Sequence, residues 1–226
     1  MPPVEAHPPK TQALLGISAK ALRIDRGGRA IVRGVDFDLR AGEALLVLGR
    51  NGAGKSTLLR ALAGFLPLRE GEVQLDGGAE ETPLAEQAHY VGHADGLKAA
   101  LTALENLQFW ARMLKCASGT ALSPEGALEQ VGLARLGDFP VGYLSAGQKR
   151  RVALARLFVA PRPIWLLDEP ATALDVGSQR KFAEAMAAHR AGGGFILAAT
   201  HAPLGLVGAK ELRLDAMRAR DVGDAA

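Results

Sequence analysis

The 226-residue chain predicts an α/β fold built on a parallel sheet, and three observations predict it. Ala44–Leu48, Ile164–Leu167 and Phe195–Ala199 are short, continuous apolar runs, the composition of strands buried on both faces. Segments with helical spacing lie between such runs. The first run ends at a glycine and opens directly into the stretch GRNGAGKST.

Residues 1–13, with their prolines, read as a flexible tail, and 14–220 as a single domain. Val35, Phe37 and Leu39 alternate with Asp36, Asp38 and Arg40, the period of a half-exposed strand. Lys55 to Leu66 has helical spacing after the buried strand 44–48. Val73 and Leu75 suggest another half-exposed strand, expected to pair with 35–39. A short strand at Tyr90-Val91 leads into a mostly helical stretch, about residues 94–144, that interrupts the sheet. Within it Thr102 and Glu105 form a capping box, and Leu104, Leu107, Ala111 and Leu114 share one helical face. Ser123 before Pro124 marks a further helix start. A helix opens again at Ser145 in LSAGQKRRVALARL, and its Lys149-Arg150-Arg151 cluster is expected to be a solvated face. The buried strands 164–167 and 195–199 follow, and there is no internal repeat.

Composition bounds the function. Hydrophobic residues are 48% and charged residues 23%, enough for a real core. The net charge is +3 and the pI about 9.2, yet no long basic run accompanies them, so nucleic acid is not an expected partner. Cys116 is the one cysteine, which excludes an internal disulfide and fits a reducing compartment. No apolar run approaches the roughly 18 residues of a membrane span, and MPPVEAHPPK lacks the apolar core of a secretory signal.

The chemistry concentrates at a few points. Gly49, Gly54, Lys55 and Ser56 satisfy G-x-x-x-x-G-K-[ST], with Arg50, Asn51, Gly52 and Ala53 between them and Thr57 after. Glycines let backbone N–H groups face phosphate oxygens, lysine reaches the outer phosphates of ATP, and the serine hydroxyl suits Mg²⁺. In IWLLDEP, Asp168 ends a buried strand where ligands of parallel sheets gather, placed to hold the metal through water. Glu169 follows as a candidate general base. His201, after AAT, can contact a γ-phosphate at the same end of the sheet. Ser145 and Gly147 open a helix whose free N–H groups make a second anion receptor.

In this order GRNGAGKST, LSAGQ, WLLDEP, ATALD and ATH resemble the nucleotide-binding subunit of an ABC transporter, over about residues 14–215. The resemblance implies a P-loop NTPase core with a parallel sheet, an antiparallel β subdomain and an inserted helical subdomain. It implies a head-to-tail dimer in which each ATP lies between the phosphate loop of one copy and Ser145, Gly147 and Gln148 of the other. Asp175 would cross the seam. The stretches RGGRAIVRGVDFDLRAGEALLVLGRNGAGKSTLLR, YVGHADGLKAALTALENLQFW and ATHAPLGL are similar to the ATP-binding subunit of the haem exporter of cytochrome c maturation. That family implies work at the cytoplasmic face of the bacterial inner membrane, with integral membrane permease subunits and, indirectly, a periplasmic haem chaperone. An ABC transporter for another substrate is the alternative; a soluble ABC protein acting on DNA or ribosomes fits a single domain poorly. Two departures stand out. Most members place a glutamine at His93, where it reaches Mg²⁺ and the water; a neutral imidazole could serve, with Gln87 as the other candidate. Most also stack an aromatic on adenine where this chain has Arg26, whose guanidinium plane can stack on a base.

Overall fold

A computed structural model describes residues 15–79, 82–114 and 121–214. The expected tail over 1–13 and Cys116 lie outside the described residues.

The antiparallel sheet takes its first two strands from the start of the described chain and its third from beyond the first helix. Strands β1 (Gly16–Arg26), β2 (Arg29–Arg40) and β4 (Glu70–Asp76) make a three-stranded sheet in the order β2-β1-β4. The alternation over 35–39 is realised, with Val35 and Leu39 buried and Asp36 and Asp38 exposed. The expected pairing of 73–75 with 35–39 is not: Val73 faces Ala19 and Leu75 faces Ile17, because β1 lies between the two strands. β1 escapes a period-two count for a local reason. Ala21 has a positive φ of 50°, its N–H donates to Asp36 Oδ1 at 2.6 Å, and the register shifts there. The buried set therefore jumps from Ile17 and Ala19 to Leu22 and Ile24.

The parallel sheet has the order β5-β6-β7-β3-β8, from β3 (Ala44–Leu48), β5 (Ala88–Val91), β6 (Ile164–Asp168), β7 (Phe195–Ala199) and β8 (Lys210–Arg213). β6 and β7 are buried at every residue, and their alternate side chains serve two cores. Ile164, Leu166, Phe195 and Leu197 join Leu58 and Leu59 of helix α1 (Lys55–Leu62) and the antiparallel sheet. Trp165, Leu167, Ile196 and Ala198 face Leu154 and Leu157 of α5 (Ala146–Val159) and Phe182 and Met186 of α6 (Val176–Ala191). Each fully buried Leu, Ile or Phe among them contributes roughly 1.5–3 kcal/mol of transfer free energy.

α1 ends at Leu62, four residues short of the apolar spacing that suggested Leu66. Gly64, at φ +78°, terminates it: Phe65 N–H donates to Arg60 O at 2.9 Å and Gly64 N–H to Ala61 O at 3.0 Å, a Schellman ending. α2 (Leu84–Gln87) is a single turn before β5. Between β5 and α5 the chain forms α3 (Ala103–Leu114), α4 (Pro124–Gln130) and two short 3₁₀ turns. The box at Thr102 and Glu105 closes with bonds of 2.8 and 3.1 Å, and Ser123 caps α4 through Gly126 N–H. α3, α4 and α5 share a third core around Leu107, Leu128, Val152 and Val159. α5 thus has apolar residues toward both the sheet and the helical layer.

One histidine is buried in this framework and a second is half-buried. His89 Nε2 lies 2.6 Å from Ala160 O, and His189 stacks on Trp165 with ring centroids 4.0 Å apart. Burial pushes His89 down to about 3 and His189 down to about 4. An unfolded histidine titrates near 6.5, so below that value the unfolded chain takes up protons that the folded chain refuses. Stability is then complete above about pH 6.5 and falls as pH drops toward the folded-state values, at up to about 1.4 kcal/mol per pH unit for each ring. Urea unfolding at neutral and mildly acid pH should show this slope. The pair of substitutions His89→Gln and His189→Gln should flatten it, and an unchanged slope would remove these two rings as its source.

Candidate functional site

The strands bring the sequence motifs to one edge. β6, β7 and β3 are neighbours and parallel, with Asp168 opposite Ala199 and Ala199 opposite Val47. Asp168, His201 and the loop from Gly49 therefore leave the same end of the sheet. A buried strand has no room for polar side chains along its length, so its last residue and the first residues beyond it carry the chemistry. Arg26, Asn51, Gly52, Gly54, Lys55, Ser56, Thr57, Asp168, Glu169 and His201 line one cleft of about 390 Å³. Gly49 and Arg50 belong to the loop wall through their carbonyls, and Ala53 is buried beneath it.

The loop needs its glycines. Gly54 sits at φ +110°, and a Cβ there would lie 3.0–3.3 Å from Val32 and Ile31. α1 begins immediately after it with no side-chain cap and no acidic residue in its first turn. Its free N–H groups and positive dipole end are left for an anion in the cleft. Lys55 is buried and folded over the loop: its Nζ donates to Gly49 O at 2.8 Å and Arg50 O at 3.4 Å. The same Nζ lies 2.9 Å from His201 Nε2. An ammonium only donates, so that ring nitrogen is the acceptor of a neutral imidazole. Glu169 Oε1 is 3.8 Å from Nε2, beyond hydrogen-bond range, and Glu169 Oε2 receives only a long 3.4 Å bond from His201 N–H.

Ser56 Oγ donates to Asp168 Oδ1 at 3.0 Å, and Tyr90 OH donates to Asp168 Oδ2 at 3.3 Å while accepting from Arg60 Nε at 3.2 Å. Burial pushes the Tyr90 hydroxyl up, so it stays a donor to the carboxylate. The hydroxyl of Ser56 and the carboxylate of Asp168 are hard oxygen donors and fit a small divalent cation such as Mg²⁺. No group of three or more His, Cys, Asp or Glu suited to a metal occurs among the described residues. Glu169 has φ 49°, a left-handed conformation that costs a non-glycine residue about 1–3 kcal/mol and persists only where the surroundings fix it.

Ser145, Gly147, Gln148 and Asp175 do not line this cleft. Ser145 caps α5 in a full capping box: its Oγ accepts from Gln148 N–H at 3.3 Å and its N–H donates to Gln148 Oε1 at 2.8 Å. That leaves the N–H groups of Ala146 and Gly147 directed out of the helix start. Gly147 has a packing reason as well, since a Cβ there would lie 2.6 Å from Ala173 O. Asp175 caps α6 through Ser178 N–H at 2.7 Å, and that bond holds its carboxyl below the usual range.

Of the remaining candidates, Arg26 lines the cleft together with Ile31, a residue the sequence had not suggested. His93 stands exposed just beyond β5 and does not line the cleft. Gln87 is buried and bonded to Ala79 and Thr82, a staple for that loop rather than a group for the cleft. The solvated face expected for Lys149-Arg150-Arg151 is corrected at its centre: Arg150 is 3% exposed and bonded to both loops behind the cleft. Its spacing to Leu154 and Leu157 puts it on the stripe that faces the sheet, a signal masked by its two charged neighbours.

Comparison with known proteins bears on this geometry. The family model for ABC transporters matches residues 32–172. The chain is 51% identical over 200 residues to the cytochrome c biogenesis ATP-binding export protein CcmA of Rhodopseudomonas palustris (strain BisB5), covering 88% of this chain and 98% of that protein. Among solved structures it is similar to an ATP-binding subunit of an ABC transporter, with TM-score 0.70 and 26% identity over 82% of this chain and 79% of that one. An ATP-binding cassette solved as a dimer in a post-hydrolysis state with ADP and Pi has TM-score 0.68 at 24% identity, over 82% of this chain and 88% of that one. The last likeness concerns the fold.

Proposed function

Because the chain belongs to the ABC transporter family, we propose that it is the ATP-hydrolysing subunit of an exporter for cytochrome c biogenesis, with haem delivery to a periplasmic chaperone as the coupled process. The observation that supports this reading is the 51% identity that spans 98% of a cytochrome c biogenesis export protein. Among the described residues no helix is long and apolar enough to cross a membrane, so attachment to the inner membrane would come through separate permease subunits.

The proposed reaction follows from the side chains. ATP lies with its base against Arg26 and Ile31 and its phosphates over residues 49–57. Lys55 exchanges its contacts with Gly49 O and Arg50 O for β- and γ-phosphate oxygens. Ser56 and Asp168 would hold Mg²⁺, which supplies charge neutralisation to the phosphates when bound. Glu169 takes a proton from a water whose oxygen bonds the γ-phosphorus, and the bridging oxygen leaves with ADP. His201 contacts the γ-phosphate and registers its loss. His93 joins this set from the loop beyond β5.

A second copy completes the site in this reading. One chain carries a phosphate cleft and, apart from it, a helix start with two free N–H groups. Pairing two copies head to tail sets the Ser145–Gln148 start of one over the γ-phosphate held by the other, with Asp175 near the seam.

Three measurements follow from these assignments. Glu169→Gln keeps size and loses basicity, so the hydrolysis rate should fall by about 10² or more while nucleotide binding survives. Cells whose only copy is this form should lack covalent haem in c-type cytochromes and keep normal b-type haem proteins; normal c-type cytochromes would point to another transported substrate. Ser145→Arg should bind ATP as the parent does and fail to hydrolyse it, and a parental rate in that variant would overturn the shared site. For His93, replacement by glutamine should retain the rate and replacement by alanine should lower it; equal rates in both would remove His93 from the reaction.

A further inference from the structure

Arg150 is buried in α5, on the side that faces the strand ends, and all five of its N–H donors are used. Nε donates to Pro170 O at 3.1 Å. One terminal nitrogen donates to Gly92 O at 2.7 Å and to Asp95 Oδ1 at 3.0 Å. The other donates to Asp168 O at 3.2 Å and Glu169 O at 2.8 Å. Three of the five acceptors are thus consecutive carbonyls that bracket Glu169, the residue in left-handed backbone conformation. The other two belong to the loop beyond β5.

Among the described residues the Glu169 carboxylate is held only by long contacts to His201, so its direction is set through its backbone. A left-handed non-glycine backbone needs its carbonyls fixed on both sides, and the planar guanidinium fork does this where a single ammonium could not. We propose that Arg150 is a positioning residue for ATP hydrolysis: it clamps residues 168–170 so that Glu169 is aimed at the attacking water, and it ties that aim to the placement of Gly92 and Asp95. The proposal rests on the assignment of Glu169 as general base. It also gives a material link between α5, whose first turn would meet the partner copy's nucleotide, and the base that acts on the chain's own.

The test is steady-state ATPase of the full chain, with AMP-PNP affinity measured alongside, for Arg150→Lys and Asp95→Ala, each alone and combined with Glu169→Gln. Arg150→Lys should lower kcat by about 10²-fold, the scale of a misplaced reacting group, with KM and AMP-PNP affinity within about two-fold of the parent. Asp95→Ala removes one bond of the five and should lower kcat several-fold in the same pattern; it also keeps the test decisive if Arg150→Lys does not fold. In the Glu169→Gln background neither change should lower the residual rate further, because the clamp acts through that carboxylate. Equal losses with and without Glu169, or kcat unchanged in Asp95→Ala, would overturn the clamp. If Glu169→Gln alone keeps the parental rate, the general-base assignment fails first and takes the proposal with it, an outcome read before any Arg150 variant is examined.

Discussion

The burial of β6 and β7 on both faces is the constraint on which the rest depends. A parallel strand covered by α1 on one side and by α5 and α6 on the other has no exposed face on which to carry a reactive side chain. Polar chemistry is therefore expelled to the strand ends. Asp168 is the last residue of β6, His201 stands two residues past β7, and the phosphate loop leaves β3. The apolar runs that make the core and the cleft that holds the polar groups are one feature seen from two directions.

That arrangement creates a problem at Glu169. The chain must turn sharply as soon as the buried strand ends, and it does so through a left-handed residue that is not glycine. The cost is met locally. Glu169 N–H donates to Ala199 O at 2.8 Å, and Arg150 takes the carbonyls of Asp168, Glu169 and Pro170. Burying a guanidinium is expensive unless every donor is used, and here the five acceptors are supplied by the very loops that need fixing. A cation in the core and a strained turn beside it offset one another.

α5 is the element that touches all of these loops. Leu154 and Leu157 pack on the sheet, while Val152, Ala155 and Val159 pack on α3 and α4. Arg156 crosses to the Tyr90 carbonyl and lies 5.0 Å from the Trp110 ring, with burial pushing it down to about 10. Its first turn is fixed by the Ser145 and Gln148 box and by the close approach of Gly147 to Ala173. The same helix thus carries the Ser145 cap at its start and, at Arg150, the bonds to the turn that holds Glu169.

Much was legible in the sequence because its causes are local. The buried strands show as apolar runs, the caps at Thr102, Ser123 and Ser145 show as residue pairs at fixed spacing, and the glycine-rich loop shows because only glycine reaches Gly54's backbone conformation. Where a local signal was interrupted it misled. The bulge at Ala21 hid β1 and with it the true partner of β4, and Gly64 ended α1 before its apolar spacing ran out. The role of Arg150 was decided by tertiary structure alone. Its five acceptors come from residues 92, 95 and 168–170, brought together only by the pairing of β5 with β6 and the docking of α5 behind them. A charge in a basic run and a charge in a fully bonded core are the same letter. What separates them is which carbonyls the fold places within reach, and that depends on contacts between segments far apart in the chain.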